Sequence, residues 1–160
     1  MGSFTRLKTA DILPRELSIP KTDMRFSYIW MLIDCYLAKD GDSIVAPAVK
    51  KLDDLKYVTV DGHHRLLVAD LFLGESNVYI PSHKQDFFTE EMIPGVPEFM
   101  RDDLNYTIEH LFDISDKVYH IKEGTSFSDI RQLKGWRFLK DVKSAKRFYE
   151  EWKPKIKSRK

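Results

Sequence analysis

Cysteine is almost absent. Cys35 is the only one in 160 residues, so no disulfide framework can hold the fold and a hydrophobic core must do so. Glycine and proline are sparse, with seven of each, and they form no low-complexity tract or obvious linker. No internal repeat is found. No segment approaches the ~20 consecutive apolar residues of a membrane span, and the N-terminus lacks the pattern of a signal peptide. Met1-Gly2 opens like an acylation motif, but Arg6 stands where that motif needs Ser or Thr. No Walker A, HExxH or GxSxG pattern occurs. His83, His110 and His120 show no metal-ligand spacing with one another or with Cys35. These absences predict a cytoplasmic protein with no membrane partner.

Apolar residues make up 42% of the chain, enough for one ordinary core. The length suits a single domain with a helical extension. The net charge of +1 hides a polarised distribution. Between positions 85 and 116 nine acidic residues face Arg101 alone, a net of −8. Between 131 and 160 twelve Lys or Arg face Asp141, Glu150 and Glu151, a net of +9. Either these are solvated faces that neutralise one another, within the fold or between protomers, or the basic end meets nucleic acid or another polyanion.

The chain divides into a mixed first half and a helical second half. Strands are expected over 4–8, 47–51, 57–60 and 78–81, the middle two as a hairpin turned at Asp53-Asp54. A helix over 24–39, capped by Thr22 or Asp23 and stopped at Asp40-Gly41, carries Phe26, Ile29, Trp30, Ile33 and Leu37 on one face for packing on the sheet. Pro94-Gly95-Val96-Pro97 precedes an acidic helix over 98–112. Ser126 and Asp129 read as a capping box before Ile130 and Leu133, with Gly135 breaking that helix. A last helix over 141–152 is expected to end before Pro154, with a frayed basic tail beyond. Trp136, Phe148, Tyr149 and Trp152 are spaced to anchor that helix to the core.

Asp61-Gly62-His63-His64-Arg65 stands between two apolar runs. Tyr57-Val58-Thr59-Val60 before it is β-branched and aromatic and predicts a strand. Leu66-Leu67-Val68-Ala69-Asp70-Leu71-Phe72-Leu73 after it has helical spacing, with Gly74 where a C-cap belongs. The motif therefore occupies a strand-to-helix turn, where backbone N–H groups and the positive end of a helix dipole converge and anions bind. Arg65 offers a phosphate a planar fork of donors. His64 can donate to phosphate oxygens or carry protons. His63 adjoins it, and adjacent helical residues diverge by ~100°, so His63 either flanks the anion or is hydrogen-bonded near the surface. Asp61 either holds a magnesium ion and orients its neighbours or closes an Asx-type turn. Gly62 supplies a positive φ or a close backbone approach.

The same residues carry a family likeness. Val58-Thr59-Val60-Asp61-Gly62-His63-His64-Arg65-Leu66 resembles the signature of the ParB/sulfiredoxin superfamily, a strand followed by D-G-x-H-R or G-x-x-R and a helix ending in Leu-Gly. Ile12-Leu13-Pro14 and Ile44-Val45-Ala46-Pro47-Ala48-Val49 are similar to the family's opening I-x-P and its P-x-V strand, and Ser76-Asn77-Val78-Tyr79-Ile80 to its next strand. The resemblance spans positions 4–84. It implies an α/β fold: a ParB/sulfiredoxin-like small mixed sheet with packed helices as a nucleotide-binding core over 1–84. Residues 85–160 then form a mainly helical C-terminal extension packed on that core.

Fold alone does not choose among the chemistries of that superfamily. Sulfiredoxins carry a cysteine in G-G-C-H-R, and His63 takes its place here. Segregation ParB proteins carry G-E-R-R, a second phosphate motif and a helix-turn-helix domain, and no such second motif is present. Free serine kinases carry D-G-x-H-R, often D-G-H-H-R, which is the version here and selects His64 over His63. That likeness implies ATP or ADP with Mg2+ as cofactors and phosphotransfer to a small hydroxyl-bearing substrate such as free serine. Gly62, His63, His64 and Arg65 would bind the nucleotide, and Asp61 would hold the metal. Pro14-Arg15-Glu16 is similar to the early segment bearing the kinases' base, which implies Glu16 as a catalytic residue beside Asp61 and His64. The alternative is a DNA-associated ParB-like protein, binding or cutting nucleic acid through residues 131–160. A third reading is a catalytically silent protein-interaction module.

Overall fold

Ala48 and Val49 are neighbours on one strand, yet their side chains enter different hydrophobic clusters. Successive strand residues point to opposite faces, so this sheet is covered on both sides. The computed structural model of the chain describes residues 2–14, 23–38, 45–86, 98–113 and 125–157. The expectations for Glu16, for the ends of the first helix at Thr22 and Asp40-Gly41, and for the breaker at 94–97 lie outside the described residues.

Five strands make one mixed sheet: β1 (Ser3–Lys8), β2 (Ile12–Leu13), β3 (Ala48–Lys51), β4 (Tyr57–Asp61) and β5 (Glu75–Ile80), in the order β1-β5-β3-β4-β2. β1 runs antiparallel to β5 and β3 antiparallel to β4, while β3–β5 and β2–β4 are parallel. The β3–β4 hairpin forms as its turn residues predict. The Asp53 carboxylate accepts the N–H groups of Leu55 and Lys56, each at 2.8 Å, which is an Asx turn. The edge strand β1 is mostly exposed and carries Arg6 and Lys8, charges that discourage edge-to-edge pairing.

One face carries four helices. They are α1 (Asp23–Leu37), α2 (His63–Phe72), the short α4 (Phe127–Arg131) and α5 (Val142–Lys157), with a 3₁₀ segment at Lys134–Leu139 leading into α5. Val49 and Val78 from the sheet join Ile29 and Ile33 of α1, Leu66 to Val68 of α2, and Phe127, Trp136 and Phe148 in one cluster. Each such aliphatic or aromatic side chain contributes ~1.5–3 kcal/mol on burial. The expected face of α1 is indeed inward, but its main partners are α2 and α5 rather than the sheet. Tyr36 stacks on Phe72 of α2 at 5.1 Å. Trp30 stacks on Tyr149 of α5 at 4.7 Å, and the Tyr149 hydroxyl donates to Asp34 at 2.6 Å. That hydrogen bond, with burial and nearby negative charge, pushes the Tyr149 pKa up to about 12.

The opposite face carries α3 (Glu98–Leu111), whose Ile108, followed by Phe112 just past the helix end, packs with Ala48, Val60 and Tyr79. The acidic helix and the basic helix therefore lie on opposite sides of the sheet. The residues beyond 84 complete the same core as those before it, through Phe127, Ile130, Trp136, Leu139, Ala145 and Phe148.

Two boundaries differ from expectation. Helix α4 ends at Arg131, and Gly135 lies inside the 3₁₀ segment rather than breaking a helix. Helix α5 continues through Pro154 to Lys157. A proline removes one i→i−4 donor, and its ring crowds the preceding turn, yet one lost bond does not end a helix anchored by the packing of Ala145 and Phe148. The capping box is present: Ser126 Oγ accepts Asp129 N–H at 3.1 Å, and Asp129 accepts Ser126 N–H at 2.9 Å. Among the described residues no helix is long and apolar enough to cross a membrane.

Candidate functional site

The turn that follows β4 is built on backbone. Asp61 ends the strand, Gly62 has φ 99° and ψ 34°, and α2 begins at His63. Leu66 N–H closes the first helical bond to Gly62 O at 3.0 Å. Gly62 is required twice over. Its φ lies where L side chains are strained, and a Cβ there would stand 2.7 Å from Pro47 Cβ and 3.0 Å from the Arg65 guanidinium. At the other end of α2, Gly74 at φ 70° donates its N–H to Ala69 O at 3.0 Å, a left-handed C-terminal cap.

The start of α2 has no side-chain cap and no carboxylate in its first turn. Its first three residues are His63, His64 and Arg65 instead. The concentration of positive partial charge that anions seek is thus left uncompensated by the helix itself.

Arg65 is turned inward. Its Nη1 donates to Val45 O at 2.9 Å, and its Nη2 pairs with Asp61 Oδ2 at 3.1 Å, with the Arg65 side chain only 11% exposed. The guanidinium spans the first turn of α2, the end of β4 and the segment leading into β3, and so fixes the turn's shape. To grip a phosphate with its full fork it would have to exchange one of these partners. Asp61 is 31% exposed, and its Oδ1 accepts nothing among the described residues. One carboxylate suits Mg2+, which commonly takes one or two protein carboxylates and completes its shell with phosphates and water. Among the described residues no three His, Cys, Asp or Glu side chains cluster as metal ligands.

The two histidines diverge. His64 lies between Tyr28 of α1, edge-on at 6.2 Å, and Trp136, tilted at 5.7 Å, and its Nε2 is sealed from solvent. His63 is half-buried beside it. Asp61, Gly62 and Arg65 are therefore brought together, while His64 faces the helical layer.

Tyr28 is the residue that sequence reasoning missed. Burial raises its pKa, the Arg65 charge opposes that, and Asp61 adds to it, so its hydroxyl feels the motif's ion pair. It is 37% exposed. The available signal was an aromatic residue standing off the apolar face of an amphipathic helix. No family model matches this chain, and comparison with curated proteins and with solved structures found no significant match to either.

Proposed function

We propose that this is a ParB/sulfiredoxin-type protein that binds ATP or ADP with Mg2+ at Gly62 to Arg65 and transfers phosphate to a small hydroxyl acceptor such as free serine. One observation carries the reading: α2 starts on a glycine turn with no side-chain cap and no first-turn acid, and with two imidazoles and a guanidinium as its first residues. Backbone N–H groups of the turn would hold the terminal phosphates, with His63 flanking them. Arg65 would shape the turn and add a charge-assisted contact as it leaves Val45 or Asp61. Asp61 would meet the magnesium ion carried by the nucleotide. With ATP as donor, the acceptor oxygen bonds to the γ-phosphorus, the bond to the β–γ bridging oxygen breaks, ADP leaves, and the hydroxyl proton passes to Glu16 as base; with ADP as donor the same attack falls on the β-phosphorus and AMP leaves. Such reactions depend on positioning and charge stabilisation.

Calorimetric titration of ATP and ADP with Mg2+ tests the reading. Arg65→Ala should weaken binding by about ten- to hundredfold, the worth of one charge-assisted contact. Heat changes no larger than those of buffer, with both nucleotides, would remove it.

A further inference from the structure

Six cations lie between positions 134 and 147: Lys134, Arg137, Lys140, Lys143, Lys146 and Arg147. All six are exposed, and among the described residues none of them joins an ion pair. The only acid in this stretch is Asp141, and it is already used. Its carboxylate accepts Ser144 N–H at 2.7 Å, capping the start of α5. Lys143, Lys146 and Arg147 follow at helical spacing on one face. Two lysines thus flank a helix N-terminus, where cations oppose the dipole, and only the capping Asp141 carboxylate lies among them to offset their charge.

Among the described residues the acidic helix does not lie beside this charge. The acidic helix α3 is packed against the far side of the sheet, with Ile108 in the second cluster, while α5 is packed in the first. The acidic helix and the basic stripe are therefore separated by the sheet. The stripe has a definite end at Glu150, one turn beyond Lys146 and Arg147. The aromatic residues that a membrane-surface helix would present are turned inward instead: Phe148 is buried, and Tyr149 and Trp152 pack against the core. A row of long cations without exposed aromatics suits a phosphate backbone, where recognition is electrostatic and salt-dependent.

We propose that the face formed by the 3₁₀ segment and the first half of α5 docks on the phosphate backbone of duplex nucleic acid, without reading its sequence. The site is separate from the turn at positions 61–65.

Fluorescence anisotropy with the full chain and a labelled duplex, over a series of KCl concentrations, tests this. Wild type should bind at low salt with a log–log salt slope between about −3 and −5, at ~0.9 per phosphate contacted. The triple variant Lys143→Gln, Lys146→Gln, Arg147→Gln changes exposed side chains only. It should keep the wild-type Tm and flatten the slope by about 2–3, while Glu109→Gln on α3 should leave the slope unchanged. The idea is overturned if wild type leaves the duplex unbound at low salt, or if the triple variant keeps the wild-type slope. It also fails if Mg-ATP displaces the duplex, which would place the contact at the glycine turn. Capture by phosphatidylserine vesicles without binding to duplex would overturn it in favour of a lipid surface.

Discussion

Arg131 on α4 donates from Nε to Asp70 Oδ2 on α2 at 2.9 Å, with the two side chains 12% and 6% exposed. The same carboxylate accepts the hydroxyls of Thr9 and Ser128. The Arg131 Nη1 donates to the carbonyls of Leu139 and Lys140, each at 3.0 Å. This largely buried ion pair thus joins the turn after β1, the motif helix and the C-terminal helical layer.

Breaking that pair from one side should be costly. Arg131→Met or Asp70→Ala leaves a buried charge uncompensated, at about 3–5 kcal/mol, or a fall in Tm on the order of 10 °C for a chain of this size. The double variant should lose less than the sum of the singles, because the residues act as a unit. Urea denaturation of the three variants checks this, and additive losses would show that the two side chains contribute independently.

Gly62→Ala should destabilise the fold by about 1–3 kcal/mol through backbone strain, with more from the encounter with Pro47. A surface Gly74→Ala makes the comparison. It meets the same φ penalty, but a Cβ there has nothing within 4 Å, so it should cost less. If the two variants unfold at the same denaturant concentration, close packing against Pro47 contributes nothing.

Asp86 should make the protein acid-sensitive. Burial acts to raise its pKa, but hydrogen bonds from Ser82 N–H and hydroxyl, Gly2 N–H and the Tyr79 hydroxyl outweigh that and hold it below the usual carboxylate range. A depressed folded pKa gives stability that is complete above the unfolded value of about 4 and is lost as pH falls towards the folded one. Wild type should therefore lose stability between about pH 4 and pH 2 more steeply than Asp86→Asn. Parallel stability curves for the two proteins over that range would rule Asp86 out as the source.

Under the proposed phosphotransfer, Glu16→Gln should lower turnover far more than nucleotide affinity, since loss of a base commonly costs about 10²–10⁴ in rate, while Asp61→Asn should lower both. Labelled ATP with a pool of hydroxyl amino acids gives the readout. An undiminished rate in Glu16→Gln would clear that residue, and no labelled product with any acceptor would end the kinase reading while leaving nucleotide binding to stand on its own titration.

Local chemistry was legible wherever it acts within a few residues. The Asp53 turn, the Gly74 cap, the Ser126–Asp129 capping box and the strand-turn-helix at positions 57–74 all formed as their residue types dictate. Relations between distant residues were not legible. Nothing local links Asp70 to Arg131, sixty-one positions apart, although a lone carboxylate inside an apolar helix run is itself a sign that some cation must meet it. The spacing of Asp61 and Arg65 made their contact foreseeable, but not its direction. That direction depends on the carbonyl of Val45, which the chain delivers from twenty residues earlier. The run of α5 through Pro154 shows tertiary packing overriding a local stop signal.

The sheet's pairing of Ser3 with Ile80 and of Lys8 with Glu75 also sets a timetable. β1 can find its hydrogen-bond partner only after the whole hairpin and motif helix have been made. Loop-closure entropy must be met before that contact rewards it. The hairpin and α2 are local and can form early, so the glycine turn between them should acquire its shape before the sheet is closed. β1 then closes its edge of the sheet on a partner strand already made.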